Sequence, residues 1–482
     1  MTNAAIVASL PLLITSATAV ILMLAIAVRR SHFAAVAISL AGLAVALLSL
    51  LLGPTGASHE VGSFLILDSY SVLYMAILLG AAGFVFLFAY DYLARRQEHR
   101  EEFYLLVLLA TTGSMVLAAS RNFASFFLGL ELLSVALYAL IAYLRHERVC
   151  IEAGIKYLVL AASSSSILLF GLALIYSETG SMDLSQFVTI SSSGPGGSVV
   201  LLAGAMLALV GIGFKLAVVP FHMWTPDVYE GAPLPVTAFV ATVSKGGMFA
   251  LVLRWFHPAA SGGLGGAMGA VLAVIAIASM LSGNLLALRQ TNVKRILAYS
   301  SIAHMGYLLV ALLAGGALGV AAGTYYLIAY LVTILGAFGT MTALSGARWE
   351  AASIESYRGL FWERPVVAGV FTTMLLSLAG IPLTAGFLGK FYVLTAGAAQ
   401  SRWILLFTLV LSSTIGLYYY LRIVVAMIAQ PQDAVIISGA DTVRVPLAAA
   451  VALAALTGLV FLLGVYPSVL WNIIVDATRS LG

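Results

Sequence analysis

Four ionisable residues lie within stretches that otherwise read as membrane-spanning hydrocarbon: Glu131, Lys215, Lys245 and Lys390. A charged group near the centre of a bilayer costs about 2.5–3.5 kcal/mol on insertion scales, so four of them imply about 10 kcal/mol. Such groups face protein or a water-filled cavity, and their usual use is the movement of ions or protons. The sequence therefore predicts a proton-translocation path built from these four side chains.

The structural alternative is a set of static ion pairs that fix helix packing, although three lysines and one carboxylate balance poorly for that purpose. Two further residues are predicted as relays. Lys156 follows Glu152 by four residues, a spacing that also allows a local ion pair, and its stem can reach the membrane surface. His304 can change charge near neutral pH, or serve only in packing. The consecutive tyrosines at 418–420 predict an interfacial aromatic belt.

Composition places the chain in a membrane. Of its 482 residues 62% are hydrophobic and 9% are charged, against about 25% charged in soluble domains. The basic residues are scattered through short loops, so we predict no nucleic-acid partner. A single cysteine, Cys150, excludes an iron–sulfur cluster or a zinc ribbon held by this chain alone. No dinucleotide fingerprint or P-loop is present. We therefore expect no metal, cofactor or redox residue in the chain.

The hydropathy pattern predicts an all-α polytopic fold with about fourteen transmembrane helices. The predicted spans lie near residues 6–28, 33–52, 69–91, 103–119, 122–143, 152–176, 199–219, 234–256, 267–287, 294–313, 318–344, 364–395, 402–428 and 445–470. With the N-terminus outside, fourteen Lys and Arg residues of the connections lie inside and four outside. This asymmetry predicts that both termini face the periplasm, and the first span reads as a retained helix rather than a signal peptide.

Two spans should be broken. The twelfth has 32 residues, and as continuous helix it would reach about 48 Å, although the hydrocarbon core is only about 30 Å thick. Its middle contains Pro382 and Gly386, and the seventh span runs into Pro220. Proline removes a backbone donor and glycine loosens the chain, so both places favour interruption. Broken helices at corresponding positions of two halves are typical of transport sites.

The breaks are five spans apart, and an odd repeat length inverts the second copy. We therefore predict two inverted five-helix repeats with broken helices 7 and 12. The predicted units are three N-terminal helices at 1–98, a first repeat of helices 4–8 at 99–258, a second repeat of helices 9–13 at 259–430, and a C-terminal loop with helix 14 at 431–482.

Three motifs carry a resemblance to a known family. Residues 214–239 (FKLAVVPFHMWTPDVYEGAPLPVTAF), 292–307 (NVKRILAYSSIAHMGY) and 380–392 (GIPLTAGFLGKFY) resemble signatures of the antiporter-like membrane subunits of respiratory complex I. The form DVYEGAP at 227–233 is similar to N-type rather than L- or M-type members. Leu383 is a departure, since many relatives have a second proline there; it can alter the geometry of the break but leaves Lys390 intact.

The resemblance implies a role for each matched residue. Glu131 would be the acid that pairs with Lys215, and Lys215 the carrier of the first half. Lys245 would be the central relay and Lys390 the terminal carrier. His304 matches the histidine that bridges the central and terminal carriers.

The resemblance also implies a function. The chain would be a membrane-arm subunit of proton-translocating NADH–quinone oxidoreductase in the bacterial inner membrane. NADH, flavin, iron–sulfur clusters and quinone would be bound by partner subunits, and the other membrane-arm subunits, including the M-type one, would be its neighbours in the lipid bilayer. Three alternatives remain open at this point: a subunit of a multi-subunit sodium/proton antiporter, a stand-alone substrate transporter with one midplane pocket, and a structural scaffold.

Overall fold

A computed structural model describes residues 3–51, 58–96, 99–184, 199–260, 266–347, 349–430 and 445–481. Within these ranges, thirteen helices are long and apolar enough to cross a membrane. The prediction of an all-α polytopic membrane protein is confirmed. Of the predicted domain boundaries, residue 98 and most of the loop that follows 430 lie outside the described residues, and the division into units stays a prediction.

A small hairpin that sequence patterning did not predict lies between the second and third helices of the chain. The first three helices are α1 (Asn3–Val28), α2 (His32–Leu50) and α3 (Ser69–Arg96), and two three-residue strands, β1 (His59–Val61) and β2 (Leu65–Leu67), precede α3. The strands pair antiparallel, with His59 opposite Leu67. Ser31 caps α2 because its side chain accepts a hydrogen bond from the amide of Ala34.

The next group of helices contains the first break. It consists of α4 (Glu101–Ala119), α5 (Phe123–Ile141), α6 (Arg148–Thr179), α7 (Val199–Leu216), α8 (Trp224–Gly231), α9 (Leu234–Phe239), a π-helical turn (Val240–Ser244) and α10 (Lys245–Ala260). A capping box begins α5, in which the Asn122 and Ser125 side chains bond reciprocally to backbone amides. The element from α9 to α10 forms one span in which Leu234–Phe256 is almost completely enclosed by other helices.

The remaining helices contain the second break. They are α11 (Gly266–Leu288), α12 (Val293–Ala314), α13 (Gly316–Leu344), a 3-10 turn (Ile354–Tyr357), α14 (Leu360–Glu363), α15 (Pro365–Ala379), α16 (Ala385–Ala399), α17 (Trp403–Ile428), α18 (Leu447–Val465), α19 (Ser468–Thr478) and a last 3-10 turn (Arg479–Leu481). Asn292 caps α12 through bonds from two backbone amides. The spans α12 and α13 are nearly completely buried, whereas only about a third of the residues in the apolar windows of α1, α2 and α18 are buried.

Both predicted interruptions are present. The seventh span stops at Leu216 and resumes at Trp224, with Pro220 between them. The twelfth stops at Ala379 and resumes at Ala385, so that Pro382 lies in the gap. Each break leaves the end of a short helix inside the protein, where its free carbonyl or amide groups need polar partners.

The backbone of the second break explains two residue choices. A Cβ on Gly386 would lie 1.9 Å from the carbonyl oxygen of Ser377, so only glycine fits there. Leu383 adopts a left-handed φ of 71°, which proline cannot reach because its ring fixes φ near −65°. The break therefore differs locally from one that has a second proline at this position.

Candidate functional site

Lys215 lies in the last turn of α7, directly before the first break, and is 3% exposed. Its ammonium donates to the hydroxyl of Ser134 at 3.0 Å and to the hydroxyl of Tyr157 at 2.9 Å. The same ammonium lies 5.5 Å from the centre of the Tyr157 ring, a cation–π distance. Two hydroxyls and a ring face thus replace the water that a charged amine would lose on burial.

Glu131 lies one helical turn before Ser134 on α5 and is half-buried. Its Oε1 atom is buried without a hydrogen-bond partner among the described residues, and the same residues include no ion pair between Glu131 and Lys215. The predicted pair is therefore open in this structure, since Ser134 and Tyr157 hold the lysine. Leaving a buried carboxylate oxygen without a hydrogen-bond partner costs free energy. The Glu131 carboxylate can therefore gain stability by accepting a hydrogen bond.

Lys245 lies at the start of α10, directly after the π-helical turn, and is fully buried. Its Nζ donates to the hydroxyl of Ser301 at 2.5 Å. That oxygen is also hydrogen-bonded to the hydroxyl of Tyr330 at 2.6 Å, and the Tyr229 ring centre lies 5.7 Å from the ammonium. A π-helical turn inside an α-helix is frequent at functional sites.

His304 lies one turn beyond Ser301 on α12 and uses both ring nitrogens. Its Nδ1 is 2.7 Å from the Tyr326 hydroxyl and its Nε2 is 3.3 Å from the Tyr420 hydroxyl. The Tyr330 ring centre lies 5.3 Å from the imidazole. Because each nitrogen has a hydroxyl partner, the ring can accept a proton on one side and release one on the other.

Lys390 lies in α16 just after the second break. Its ammonium donates to the carbonyl oxygens of Leu378 at 2.9 Å and Ala379 at 2.8 Å, and to the hydroxyl of Ser413 at 2.7 Å. The two carbonyls end α15, where a helix dipole favours a cation. The Tyr307 ring centre lies 5.4 Å away. A cavity of about 260 Å³ opens beside this ammonium.

The predicted site residues thus fall into two groups. Lys245 and His304 contact tyrosine and serine hydroxyls carried by α12, α13 and α17, and Lys390 lies beside the Tyr307 ring, which also packs against His304. Lys215 has its own hydroxyl partners, and rings such as Trp224, whose centre lies 5.0 Å from that of Tyr157, pack on that side. The arrangement can hold positive charge at each lysine and exchange protons through hydroxyls.

Lys156 lies apart from these groups. Its ammonium is about half exposed and contacts Glu152 at 2.8 Å and Asp227 at 3.0 Å. The four-residue spacing to Glu152 therefore forms the local pair that the sequence allowed. Asp227 lies in α8, the helix that follows the first break. Arg295 contacts the same carboxylate at 3.0 Å. The predicted relay role of Lys156 stays a prediction.

Sequence reasoning missed the hydroxyl partners of the lysines, and it was wrong about two of the three consecutive tyrosines at 418–420. The prediction of an interfacial belt fits Tyr418, which is 62% exposed, but is wrong for Tyr419 and Tyr420, which are 1% exposed. Both tyrosines are buried because α17, which carries them, packs against α11 and α12. The hydroxyl of Tyr419 donates to Asn284, and that of Tyr420 contacts Ser300.

A charged cluster at the ends of two spans was also missed. Glu350 lies in the connection between α13 and the following 3-10 turn, and Lys294 contacts its carboxylate at 2.7 Å. Burial opposes ionisation of this carboxyl, but the charge and hydrogen bonds of Lys294, Tyr92 and Arg96 outweigh burial and lower its pKa below the ordinary value. Only the fold brings these residues together. Within the described ranges, no group of His, Cys, Asp or Glu could hold a metal ion.

Comparison with known proteins gives the family. Residues 120–416 match the family described as NADH:quinone oxidoreductase/Mrp antiporter, transmembrane. The chain is 46% identical over 487 aligned residues to NADH-quinone oxidoreductase subunit N of Ectopseudomonas mendocina (strain ymp), with 98% of this chain and 96% of that protein covered. The chain belongs to the NADH:quinone oxidoreductase/Mrp antiporter membrane family. The resemblance drawn from the three motifs is confirmed.

Several solved membrane complexes contain a chain with the same fold. A chain of respiratory complex I from Thermus thermophilus superposes with a TM-score of 0.82 at 33% identity, covering 97% of this chain and 100% of that one. A chain of the Mrp complex from Dietzia sp. DQ12-45-1b gives 0.81 at 23% identity, covering 100% and 98%. A chain of an archaeal membrane-bound sulfane sulfur reductase gives 0.80 at 25% identity, covering 99% and 97%. One fold thus occurs in several membrane complexes.

Proposed function

We propose that this chain is a membrane-arm subunit of a proton-translocating NADH–quinone oxidoreductase, and that it moves protons while other subunits carry electrons. The subunit N relative, aligned along nearly the whole chain, supports this assignment. The chain then acts as part of an oxidoreductase without a redox centre of its own. NADH, flavin, iron–sulfur clusters and quinone would be held by partner subunits, and the M-type subunit would be one neighbour.

One observation carries the proposal: every buried lysine of the predicted path lies close to a break or a π-helical turn in its helix. Lys215 precedes the first break, Lys245 follows the π-helical turn, and Lys390 follows the second break. Interruptions free backbone groups and leave room for polar partners within a membrane. Static ion pairs would not need this placement, and the partners seen here are hydroxyls and carbonyls rather than carboxylates.

In the proposed first half, Glu131 gates proton uptake. When its carboxylate approaches Lys215, the ammonium is stabilised and keeps its proton. When the two are apart, Ser134 and Tyr157 are the remaining partners, and the proton can pass toward Lys245. The open arrangement described above corresponds to the second state. A gate is required because each charge moved against the membrane potential costs about 2.3 kcal/mol per 100 mV, and an ungated path would dissipate that energy.

In the proposed second half, the proton passes from Lys245 through Ser301 and Tyr330 to His304, and from there toward Lys390. Hydroxyl contacts join Lys245 to Ser301 and Ser301 to Tyr330, and the Tyr330 ring centre lies 5.3 Å from the imidazole of His304. Between His304 and Lys390 lies the Tyr307 ring, whose centre is 5.4 Å from the imidazole centre and 5.4 Å from the ammonium. Lys390 is the release group, because the cavity of about 260 Å³ opens beside its ammonium.

The test is the proton yield of a Lys390→Ala variant in the assembled complex. Inverted membrane vesicles driven by NADH report proton uptake and electron flux together. We expect fewer protons per electron, or a matching loss of turnover, while Thr395→Ala on the exposed face of the same half-helix behaves as wild type. An assembled Lys390→Ala complex with the full proton-to-electron ratio would remove Lys390 from the path.

The second candidate function is a subunit of a sodium/proton antiporter complex, which the family description itself includes. The Mrp chain at 23% identity supports a common fold only. Co-purification discriminates between the two. Flavin and iron–sulfur clusters in the purified complex, with NADH-driven quinone reduction, favour the first function, whereas sodium-dependent proton exchange without them favours the second.

Topology and location follow from the same proposal. We place the chain in a bacterial inner membrane with both termini on the periplasmic side and with two inverted repeats around the breaks. The excess of basic residues on the connections assigned to the inside supports this orientation. Labelling of single cysteines introduced at Ser31 and Ser468 with a membrane-impermeant reagent tests it: Ser468 should react from the periplasm and Ser31 only after permeabilisation.

A further inference from the structure

The short connection between α8 and α9 joins the first break to the helix that carries Lys245. It consists of Ala232 and Pro233, and α9 begins at Leu234. From there, α9, the π-helical turn and α10 run on without a gap. Lys245 is eleven residues beyond Leu234, about 16 Å along the helix axis. The position of this connection therefore sets the position of the Lys245 backbone.

Glu350 and Lys294 hold this connection from both sides. The carboxylate of Glu350 accepts a hydrogen bond from the amide of Leu234 at 3.2 Å, while the ammonium of Lys294 donates to the carbonyl oxygen of Ala232 at 2.7 Å. The two side chains also contact each other at 2.7 Å. A carboxylate at the first amide of a helix is favoured because the helix dipole is positive there.

Arg96 and Tyr92 complete what we call the Glu350 cluster (Glu350, Lys294, Arg96 and Tyr92). The Tyr92 hydroxyl donates to Glu350, and the Arg96 guanidinium lies 3.6 Å from the same carboxylate. Arg96 also donates to the carbonyl oxygen of Gly346, which fixes the connection that carries Glu350. Glu147 approaches Arg96 at 3.9 Å from the remaining side. Lys294 and Arg96 are 1% and 3% exposed, so water screens this cluster weakly.

The Glu350 cluster also fixes the helix of the Lys245 partner. Lys294 lies in the first turn of α12, and Ser301 follows it by seven residues, about two helical turns. The two helices that meet in the Lys245–Ser301 bond are thus tied together near their first residues by one carboxylate. A shift there would move both members of the 2.5 Å contact.

We propose that Glu350 is a positioning residue for proton transfer, which holds the α9–α10 span and α12 at the spacing that the Lys245–Ser301 contact requires. The inference rests on the proposed function and deepens it. A neutral amide at position 350 would leave Lys294 and Arg96 without their shared carboxylate, and removing one partner of a buried charged group loosens the elements that it joins.

Hydrogen–deuterium exchange of the assembled complex, paired with the proton yield in inverted vesicles, tests this. In Glu350→Gln, loss of a charge-assisted bond should speed exchange within residues 232–245 about tenfold, and the proton yield or coupled turnover should fall. Glu350→Asp keeps the charge and should recover part of both. The matched control is Glu355→Gln, since Glu355 is 77% exposed and its ion pair lies on the surface; it should change neither.

Two results would overturn the proposal. One is wild-type exchange over 232–245 together with a wild-type proton yield in Glu350→Gln. The other is faster exchange confined to the connection at 349–353, which would mean that Glu350 holds only its own segment. If Glu350→Gln does not assemble, Lys294→Gln tests the same Glu350 cluster. Wild-type exchange over 232–245 in Lys294→Gln would contradict the proposal.

Failure of the proposed function is recognised separately with Lys245→Met. If an assembled Lys245→Met complex pumps normally, the proton path fails whatever Glu350 does. If Lys245→Met is defective while Glu350→Gln is normal in both measurements, only the positioning role is lost.

Discussion

Replacing Ser301 with alanine removes the hydroxyl that accepts the hydrogen bond of the Lys245 ammonium at 2.5 Å. The ammonium is fully buried, so water cannot simply take the place of this oxygen. A hydrogen bond to a charged group contributes about 1.5–3 kcal/mol. Because about 1.4 kcal/mol corresponds to a factor of ten in an equilibrium, the population of ammonium held in this position should fall roughly 10- to 100-fold.

The assay is NADH-driven proton uptake by inverted membrane vesicles, measured beside NADH oxidation and the amount of assembled complex. Ser301→Ala should assemble and show a lower rate of coupled turnover. Ser282→Ala is the matched control, since among the described residues the Ser282 hydroxyl bonds to the Ala278 carbonyl of its own helix and to no side chain of the path. Wild-type turnover and proton yield in Ser301→Ala would refute the assignment of Ser301 to the path.

Three further predictions concern stability and pH. Asp68→Asn breaks a buried pair with two hydrogen bonds of 2.8 Å to one arginine, and should destabilise the subunit by about 3–5 kcal/mol in thermal unfolding of the purified complex. Gly386→Ala should prevent assembly, because its Cβ would lie 1.9 Å from a carbonyl oxygen, whereas Gly369→Ala, with open space around it, should assemble. Since the pKa of Glu350 is lowered from 4.5 in the folded protein, the stabilisation it provides is complete above the unfolded pKa and is lost as the pH falls through the lower folded value. Exchange over 232–245, corrected for the intrinsic pH dependence of amide exchange, should therefore rise in wild type as the pH falls below the unfolded carboxyl value, with no such step in Glu350→Gln.

Each of these predictions has a contrary result. A wild-type melting temperature in Asp68→Asn would mean that the pair adds nothing to stability. Normal assembly of Gly386→Ala would mean that the second break relaxes easily. The same acid-induced rise of exchange in Glu350→Gln as in wild type would assign the pH dependence to another group.

Much of the fold was predictable because the membrane imposes it. Apolar stretches of about twenty residues predicted the spans, and Pro220 and Pro382 predicted both interruptions, since proline acts on its own backbone wherever it lies. The π-helical turn before Lys245 gave no such signal, because it contains only ordinary residues. The hairpin at 59–67 was missed because three-residue strands are too short to show a pattern.

The site was predictable in its charges and not in its partners. A lysine within an apolar span is conspicuous because burial of its charge is costly. Ser134 and Tyr157 give no comparable signal in the sequence, since serine and tyrosine occur throughout the chain. Only helix packing brings these two side chains to Lys215. Glu350 was missed for a related reason. An acid in a polar connection reads as solvated, and its burial against Lys294 arises only from the tertiary structure.

The most direct test of the central claim is the number of protons translocated per electron by an assembled complex with Lys215→Met, the substitution that removes the charge and keeps the length of the side chain. We predict a reduced proton-to-electron ratio, or coupled turnover that falls in step with proton uptake, while NADH oxidation by the detached hydrophilic subunits stays normal. Full turnover with the wild-type ratio would contradict proton carriage by these buried amines.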